Sequence, residues 1–143
     1  QRNEREDLYA ALGAFVEPAL AERARALLLD PTLEPREAIW PLLEGQAGHP
    51  ATRTALLDFL ARHYDALAAR VSPETLPYLP MAFTHGCSAA EAQRIEAVFA
   101  PRAGQQAGGR RLLAQALETV RLCDAWGARQ GASWRQALGA SAR

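Results

Sequence analysis

Apolar residues recur at helical spacing along most of the chain. The clearest stretch runs from about Ala51 to Val71, where leucines, a tyrosine and a valine return every three or four residues along one stripe. Phe59, Ala55 and Ala66 form a second stripe beside it, and such a wide apolar arc is typical of a helix packed against neighbours on two sides. Two stripes also mark the stretch from about Arg110 to Ala128. Both stretches are predicted to be long core helices.

Six further helical segments are predicted from the residues that begin and end them. Prolines favour the first helical turn and break or kink a helix interior, while glycines end helices. One segment begins with a capping box from Ser88 to Glu91, whose side chains satisfy free backbone donors. The six segments run from Glu6 to Phe15, Pro18 to Asp30, Pro35 to Gly48 with a kink or break at Pro41, Pro73 to Thr84 in short or irregular form, Ser88 to Pro101, and around Trp134 and Leu138 after a break at Gly131.

The composition of the 143 residues also indicates an all-helical chain. Alanine, leucine, arginine and glutamate, which are strong helix formers, are abundant, whereas there are only two isoleucines and four valines. The segments pair with starts about 30–40 residues apart, which is the range of helical-repeat units. The predicted fold for residues 1–143 is therefore a single all-α domain, an irregular α-solenoid of about four HEAT- or armadillo-like helix pairs in a right-handed superhelical array. A compact bundle is the alternative.

Charge and cysteine content limit the partners and the compartment. Sixteen arginines balance 16 acidic residues, and a neutral chain argues against a nucleic-acid or membrane-surface binder. No apolar run approaches the roughly 20 residues of a membrane span. Cys87 and Cys123 are too few for a disulfide framework and lack metal-ligand spacing, so a reducing cytoplasm is predicted. Because the chain begins at Gln1 and not at a methionine, it is expected to be a segment of a longer protein.

No constellation of side chains predicts an active site in this chain. His49, His63 and His85 have no second histidine or cysteine three or four residues away, so no zinc site is predicted. A nucleophilic pair of Cys87 with His85 is conceivable, but loop cysteines are more often inert.

The glycine-rich turn before Arg110 and Arg111 does not match a phosphate-binding loop and is interpreted as a flexible linker. The two arginines lie at the positive end of a helix dipole, where they are mildly unfavourable unless they meet an anion or a partner. The three tryptophans at positions 40, 126 and 134 are assigned to core or inter-helix packing.

Four strings of residues, in order along the chain, resemble the C-terminal helical domain of one enzyme family. The strings are Leu12–Phe15 with Pro18–Leu20, Thr54–Leu60 with Tyr64–Leu67, Cys87–Arg102, and Leu112–Cys123 followed by Trp126. Together they are similar to that domain in the gluzincin zinc aminopeptidases, which include aminopeptidase N, the puromycin-sensitive enzyme and the endoplasmic-reticulum aminopeptidases. Two departures are a leucine at position 56 or 57 where many members have tryptophan, and His63 in place of an asparagine.

The resemblance implies a function for the whole parent protein. The parent would be a zinc-dependent aminopeptidase that removes N-terminal residues from peptides. Its zinc motif H-E-x-x-H-x18-E and its exopeptidase motif G-x-M-E-N belong to an earlier domain and are absent here. This chain would be a non-catalytic cap with no cofactor of its own. Its partners would be the parent's catalytic domain and the peptide substrate, with no nucleic acid and no membrane.

The resemblance also implies that a concave face encloses the peptide chamber, limits access to it and contacts the distal end of the peptide. Arginines suit a peptide carboxylate because they bond it with two donors. The candidate contacts are Arg62, His63, Arg110, Arg111 and Arg121, and no catalytic or metal-binding residue is predicted.

Two other functions remain open on the sequence alone. One is a free-standing helical-repeat module that binds a protein partner in its groove. The other is a small helical-bundle enzyme that uses Cys87 or Cys123.

Overall fold

The computed structural model describes residues 2–141, and all the regular secondary structure within that range is helical. The α-helices are α1 (Arg2–Gly13), α2 (Pro18–Ala26), α3 (Pro35–Gly48), α4 (Pro50–Ala68), α5 (Ala89–Ala103) and α6 (Gly109–Ser141). Two 3₁₀ helices, Leu27–Leu29 and Leu76–Phe83, lie between them. The all-α prediction is confirmed, and so is the irregular form of the proline-rich segment around Pro77 and Pro80.

Two predicted helix ends, at Pro101 and Gly131, are wrong, and of the kink or break predicted at Pro41 the break does not occur. α3 runs without interruption through Pro41, and α5 continues past Pro101. Gly131 does not end a helix, because α6 extends from Gly109 to Ser141 as one element and takes in the separate last helix that was predicted. A glycine costs about 1 kcal/mol relative to alanine inside a helix, which weakens the helix without ending it.

The core lies where α3, α4, α5 and the first half of α6 meet. α1 packs on α3, α5 packs on α6, and the second 3₁₀ helix packs on α6. The largest fully buried side chains include Leu28, Leu42, Leu43, Leu56, Leu57, Leu60, Leu67, Phe83, Ile95 and Val120. The arrangement of helix pairs as a solenoid stays a prediction.

α1 and α3 approach each other closely at a pair of glycines. A Cβ atom added at Gly45 would lie 2.6 Å from the carbonyl carbon of Gly13, which is backbone and cannot move aside as a side chain would. This contact requires glycine because any side chain at position 45 would push the two helices apart.

The buried guanidinium of Arg53, which is 4% exposed, joins three helices. Its Nε donates to the Ala47 carbonyl at 2.6 Å and its Nη2 donates to the Gly48 carbonyl at 3.3 Å, so it satisfies two carbonyls at the end of α3. Its Nη1 pairs with the carboxylate of Glu91 in α5.

Glu91 also closes the predicted capping box, which is confirmed. The Glu91 N–H donates to Ser88 Oγ at 3.2 Å, and Glu91 Oε2 accepts the Cys87 N–H at 2.9 Å. The carboxylate thus reaches one residue further back than the usual box, in which it accepts from the serine N–H.

Gln46, which is fully buried, connects several helices at the other end of the domain. Its Nε2 donates to the Gly13 carbonyl at 2.9 Å, and its Oε1 accepts from Arg25 Nη1 at 2.9 Å. Its own carbonyl accepts the hydroxyl of Thr52 at 2.7 Å. Gln46 therefore ties α1 and α2 to the junction between α3 and α4.

Cys87 and Cys123 form a disulfide, which corrects the expectation that two cysteines are too few for disulfide bonding. Their Cα atoms are 5.0 Å apart although the residues are separated by 36 positions in the chain. The number of cysteines could not show this pairing, because it arises only when α5 and α6 pack together and bring the two positions close.

The packing predicted for two of the tryptophans is also wrong. Trp126 and Trp134 on α6 are 53% and 55% exposed, whereas Trp40 is half-buried against the core. Beyond Cys123, the large apolar side chains of α6 are each more than half exposed.

We expect Gly45→Ala to lower the free energy of unfolding by about 2 kcal/mol or more, since the new methyl group would overlap the Gly13 backbone. Urea unfolding followed by circular dichroism measures the change. Gly48→Ala in the same helix is the matched control, because a Cβ atom there meets nothing within 4 Å, and its effect should stay within about 0.5 kcal/mol. Equal losses in the two variants would contradict the close approach.

The Arg53–Glu91 pair predicts a loss of stability in acid. Burial raises the pKa of Glu91, but hydrogen bonds from the Cys87 N–H, Arg53 and Ser88 outweigh burial and hold this pKa below its ordinary value. A carboxyl group with a depressed folded-state pKa contributes stability at neutral pH. That contribution declines as the pH falls below about 4.3, the ordinary pKa of glutamate, and through the folded-state value.

Glu91→Gln should therefore cost about 1–3 kcal/mol at pH 7 and flatten the acid branch of a plot of unfolding free energy against pH. Glu96→Gln is the control, since Glu96 pairs with Arg121 at an exposed site and should contribute less than about 0.5 kcal/mol. An acid branch that is unchanged in Glu91→Gln would show that other carboxylates govern it.

Candidate functional site

The five arginine and histidine residues predicted to contact a peptide do not form one site. Arg62 and His63 lie together in a groove between α2 and α4, whereas the other three have separate surroundings. Arg110 lies over Gly104, Arg111 lines a cavity with Tyr78, and Arg121 donates to Glu96 Oε2 at 2.9 Å. The structure therefore brings together two of the five.

The groove at Arg62 and His63 has a volume of about 280 Å³. Its lining is completed by Glu22, Arg25, Ala26, Ala55, Asp58 and Phe59. The His63 ring lies on the ring of Phe59 with their centroids 4.7 Å apart, which holds the imidazole at the wall of the groove.

Arg25 makes this groove more positive than the predicted pair alone would. Burial lowers the pKa of the Arg25 guanidinium, the charge of Arg62 lowers it further, and Glu22 opposes both. Two like charges near each other favour an anion between them. Asp58 is 3.4 Å from Arg94, so this carboxylate already has a cationic partner.

A larger cavity of about 540 Å³ lies between the start of α3 and the chain that follows α4. We call it the Arg70 cavity, and its lining residues are Glu34, Pro35, Arg36, Ile39, Trp40, Arg70, Val71, Ser72 and Thr75. Trp40 and Ile39 supply an apolar wall, and the hydroxyls of Ser72 and Thr75, 3.0 Å apart, supply a polar one.

The guanidinium of Arg70 has donor capacity that its surroundings do not use. Its Nη2 donates to the Leu33 carbonyl at 3.1 Å, but its Nε is buried and has no hydrogen-bond partner among the described residues. A buried donor without an acceptor costs about 1–3 kcal/mol, and an acceptor in the cavity would regain that energy where the Arg70 side chain turns its Nε toward the cavity.

Two carboxylates near Arg70 are already engaged. Glu34 caps α3 by accepting the Arg36 N–H at 3.4 Å. Asp30 accepts hydrogen bonds from the hydroxyl and from the backbone N–H of Thr32. These bonds lower the pKa of Asp30, and the charge of Arg70 lowers it by a smaller amount. The start of α3 also directs the positive end of its dipole to this region. The Arg70 cavity is therefore suited to a carboxylate that carries an apolar group.

Sequence reasoning did not select Arg70 and assigned Trp40 to packing alone. One signal was available, since Arg70 is a charged residue at the end of an apolar helix, just before the break at Ser72 and Pro73. That position shows where the helix ends. It does not show that the start of α3 folds against the same place.

The histidines and cysteines do not assemble a metal site or a nucleophile within residues 2–141. No three side chains of histidine, cysteine, aspartate or glutamate described there come together to hold a metal ion. His49 Nδ1 accepts the Ala51 N–H as a helix cap, and His63 lies on Phe59. Because Cys87 and Cys123 are bonded to each other, neither is available as the thiolate that a cysteine enzyme requires.

Comparison with known proteins identifies one relationship. A family model described as the ERAP1-like C-terminal domain matches residues 1–122. No curated protein and no solved structure matches the chain. In the described part of the chain, none of the helices combines the length and the apolar character needed to cross a membrane.

The disulfide predicts that native protein contains no reactive thiol. We expect a thiol reagent to modify neither cysteine without reductant and to modify both after unfolding and reduction. Replacing both residues (Cys87→Ser with Cys123→Ser) should lower the free energy of unfolding by about 3–4 kcal/mol, because the bond closes a loop of 36 positions. Two thiols that react in the native protein would contradict this.

Proposed function

Because this chain belongs to the ERAP1-like C-terminal domain family, and is thus a C-terminal domain of an M1 aminopeptidase-family protein, we propose that it is the cap over that enzyme's peptide chamber. In this role the domain encloses the chamber, restricts the peptides that enter and binds the end of the peptide away from the cleaved bond. The parent enzyme removes N-terminal residues from peptides. The observation that carries the peptide-binding part of this proposal is the buried, unpartnered Nε of Arg70.

The chain itself is proposed to be non-catalytic. The zinc ion of the enzyme belongs to the catalytic domain, where it supplies the Lewis acid and the bound water for peptide hydrolysis. Residues 2–141 do not bring three potential ligands together, so this chain's own side chains do not fit a zinc site. Its proposed work is to bind and orient peptides.

The proposed partners of this domain are the catalytic domain of the same protein and the peptide. A right-handed stack of HEAT- or armadillo-like helix pairs would provide a concave surface large enough for a peptide. The packing of α1 on α3 and of α5 on α6 supports a layered arrangement of this kind.

We assign the peptide's C-terminal carboxylate to the Arg70 cavity. Once the Arg70 side chain turns its buried Nε toward the cavity, a carboxylate oxygen would accept the unused Nε–H, and the other oxygen would accept from the remaining guanidinium donors, as in a bidentate pair. Trp40 and Ile39 would contact the last apolar side chain of the peptide. An arginine is better suited than a lysine, because its fork of donors matches the two carboxylate oxygens.

The residues predicted from the sequence stay as proposed secondary contacts. Arg62 and His63 share their groove with Arg25 and with the carboxylates of Glu22 and Asp58, and the two arginines there would bind an acidic part of the peptide. Arg110 and Arg111 are exposed at the start of α6. Arg121 has less capacity for a peptide because it is paired with Glu96.

The cytoplasmic location stays a prediction, and its premise does not hold. It rested on a cysteine content too low for a disulfide framework, whereas Cys87 and Cys123 are bonded. Disulfides persist in oxidising compartments and are rare in the cytosol of mesophiles. The bond therefore weighs against the cytoplasm.

A free-standing interaction module is the other candidate function. The family match over residues 1–122 favours the cap, because that family is a domain of aminopeptidases. A gene that encodes this domain without a zinc-binding domain would favour the module.

The Arg70 cavity predicts a difference between a peptide acid and its amide. We expect an N-acetylated tripeptide with an apolar last residue and a free carboxylate to bind at least tenfold more tightly than the same peptide amidated at its C-terminus. The reason is that a hydrogen bond to a charged group is worth about 1.5–3 kcal/mol. Isothermal titration calorimetry measures both affinities.

Arg70→Met should remove the difference between acid and amide while retaining the apolar contact. Arg94→Met is the matched control, since Arg94 is exposed and makes an ion pair with Asp58 outside the cavity. Circular dichroism confirms that both variants are folded. If the acid and the amide bind equally to the unmodified chain, or if Arg94→Met has the same effect as Arg70→Met, the assignment is wrong.

A further inference from the structure

The second half of α6 carries an exposed stripe that the proposed function does not use. The stripe consists of Trp126, Gly127, Gln130, Ser133 and Trp134, which share one face of a helix because they are spaced three and four residues apart. All five residues are exposed, and no described element of the domain covers them. The stripe lies beyond residues 1–122, the part of the chain that the family model matches.

This half of α6 is poorly suited to remain a single helix in water. Gly127, Gly131 and Gly139 lie in its interior, and each costs about 1 kcal/mol relative to alanine. An isolated helix of this length is marginal even with good helix formers, and most helical stability in proteins comes from packing of an apolar face. Two half-exposed tryptophans on one face are the residues that a packing partner would cover.

The stripe is symmetric about Gln130 in a way that fits a second copy of itself. Consider an antiparallel pair of helices related by a two-fold axis that passes at Gln130 and is perpendicular to both helices. Each lateral edge of the stripe on one helix then lies beside the same edge on the other helix, with the chain direction reversed. Trp134, four residues after the axis, then faces Gly127 of the other copy, three residues before it. On the other lateral edge of the stripe, Trp126 of one copy faces Ser133 of the other copy in the same way.

In this one alignment of the two helices, each tryptophan thus lies against a small residue of the other copy. A Cβ atom at Gly127 would find nothing within 4 Å, so there is open space for an indole ring to enter. Ser133 is small and already bonds within its own helix, where its hydroxyl donates to the Gln130 carbonyl at 2.8 Å. The two Gln130 amides would meet at the axis, where each has a donor and an acceptor for the other.

The surface available is at the lower limit for a stable pair. Leu122 and Leu138, 58% and 68% exposed, lie equally far from Gln130 on its two sides and would form the rim. Four tryptophans, four leucines and the backbone at the glycines would together bury on the order of 1,000 Å², the minimum for a specific interface. An interface of this size is expected to give a dissociation constant in the micromolar range.

From this symmetry we infer that the chain forms an antiparallel homodimer through the second half of α6, with the stripe as its interface. Sedimentation velocity of the 143-residue chain over a series of concentrations should show a monomer–dimer equilibrium. Trp126→Ala and Trp134→Ala should each raise the dissociation constant about 30-fold or more, as buried tryptophans at interface centres do. A monomer at every concentration, or dimers unaffected by both substitutions, would overturn the inference and assign the stripe to another partner.

A glycine substitution separates the interface from the stability of the helix. Gly127→Leu fills the space for the indole ring, so it should raise the dissociation constant about 30-fold while the helix content by circular dichroism stays equal or rises. Gly139→Leu is the matched control, because Gly139 is also open in the same helix but lies on the opposite face, and it should leave dimerisation unchanged. If Gly139→Leu weakens the dimer as much as Gly127→Leu, the interface is not the stripe.

A double variant tests the register. Gly127→Leu combined with Trp134→Ala exchanges the small and the large residue of one contact, so it should bind more tightly than either single variant. A double variant no tighter than the singles would exclude this register. None of these outcomes depends on peptide binding at Arg70, so a failure here and a failure of the proposed function are distinguishable.

Discussion

A buried guanidinium connects the helices of this domain at a point where their backbone ends would otherwise lack partners. Arg53 donates to two carbonyls at the end of α3 and pairs with Glu91 at the start of α5, so one side chain satisfies groups from two helices while it lies on a third. A charge with so little exposure is tolerated only when it is paired and fully hydrogen-bonded, because removing one partner leaves the other uncompensated. These contacts hold the junction of α3 and α4 against the start of α5.

The contacts continue from Arg53 in both directions along the domain. Glu91 accepts the Cys87 N–H, and Cys87 is bonded to Cys123, so the start of α5 is linked covalently to the middle of α6. On the other side the turn between α3 and α4 holds Gln46 against the end of α1 and against Arg25 of α2. A network in which every member is satisfied specifies one arrangement of helices, since any other packing would leave polar groups without partners.

The Arg70 cavity and the α6 stripe differ from this network because each retains unused capacity. The Arg70 guanidinium has a buried donor with no acceptor among the described residues, and the stripe has apolar surface that no described element covers. The first suits a small anionic group that enters from outside, and the second suits a flat helical partner. Cys123 separates the two halves of α6, since the core contacts end close to it and the stripe begins three residues later.

The sequence by itself determined the elements that depend on local chemistry. Proline at a first turn placed the starts of α2 and α3, the Ser88–Glu91 capping box placed the start of α5, and the apolar stripes of α4 and α6 identified the core helices. These features depend on residues within one or two turns of each other, so they can be predicted from the amino-acid sequence. Only the tertiary structure decided that Cys87 meets Cys123, that Arg53 is buried with Glu91, that Arg70 lacks an acceptor and that Trp126 and Trp134 are uncovered. Each of these depends on which distant segments pack together, and helical periodicity is equally compatible with many such packings.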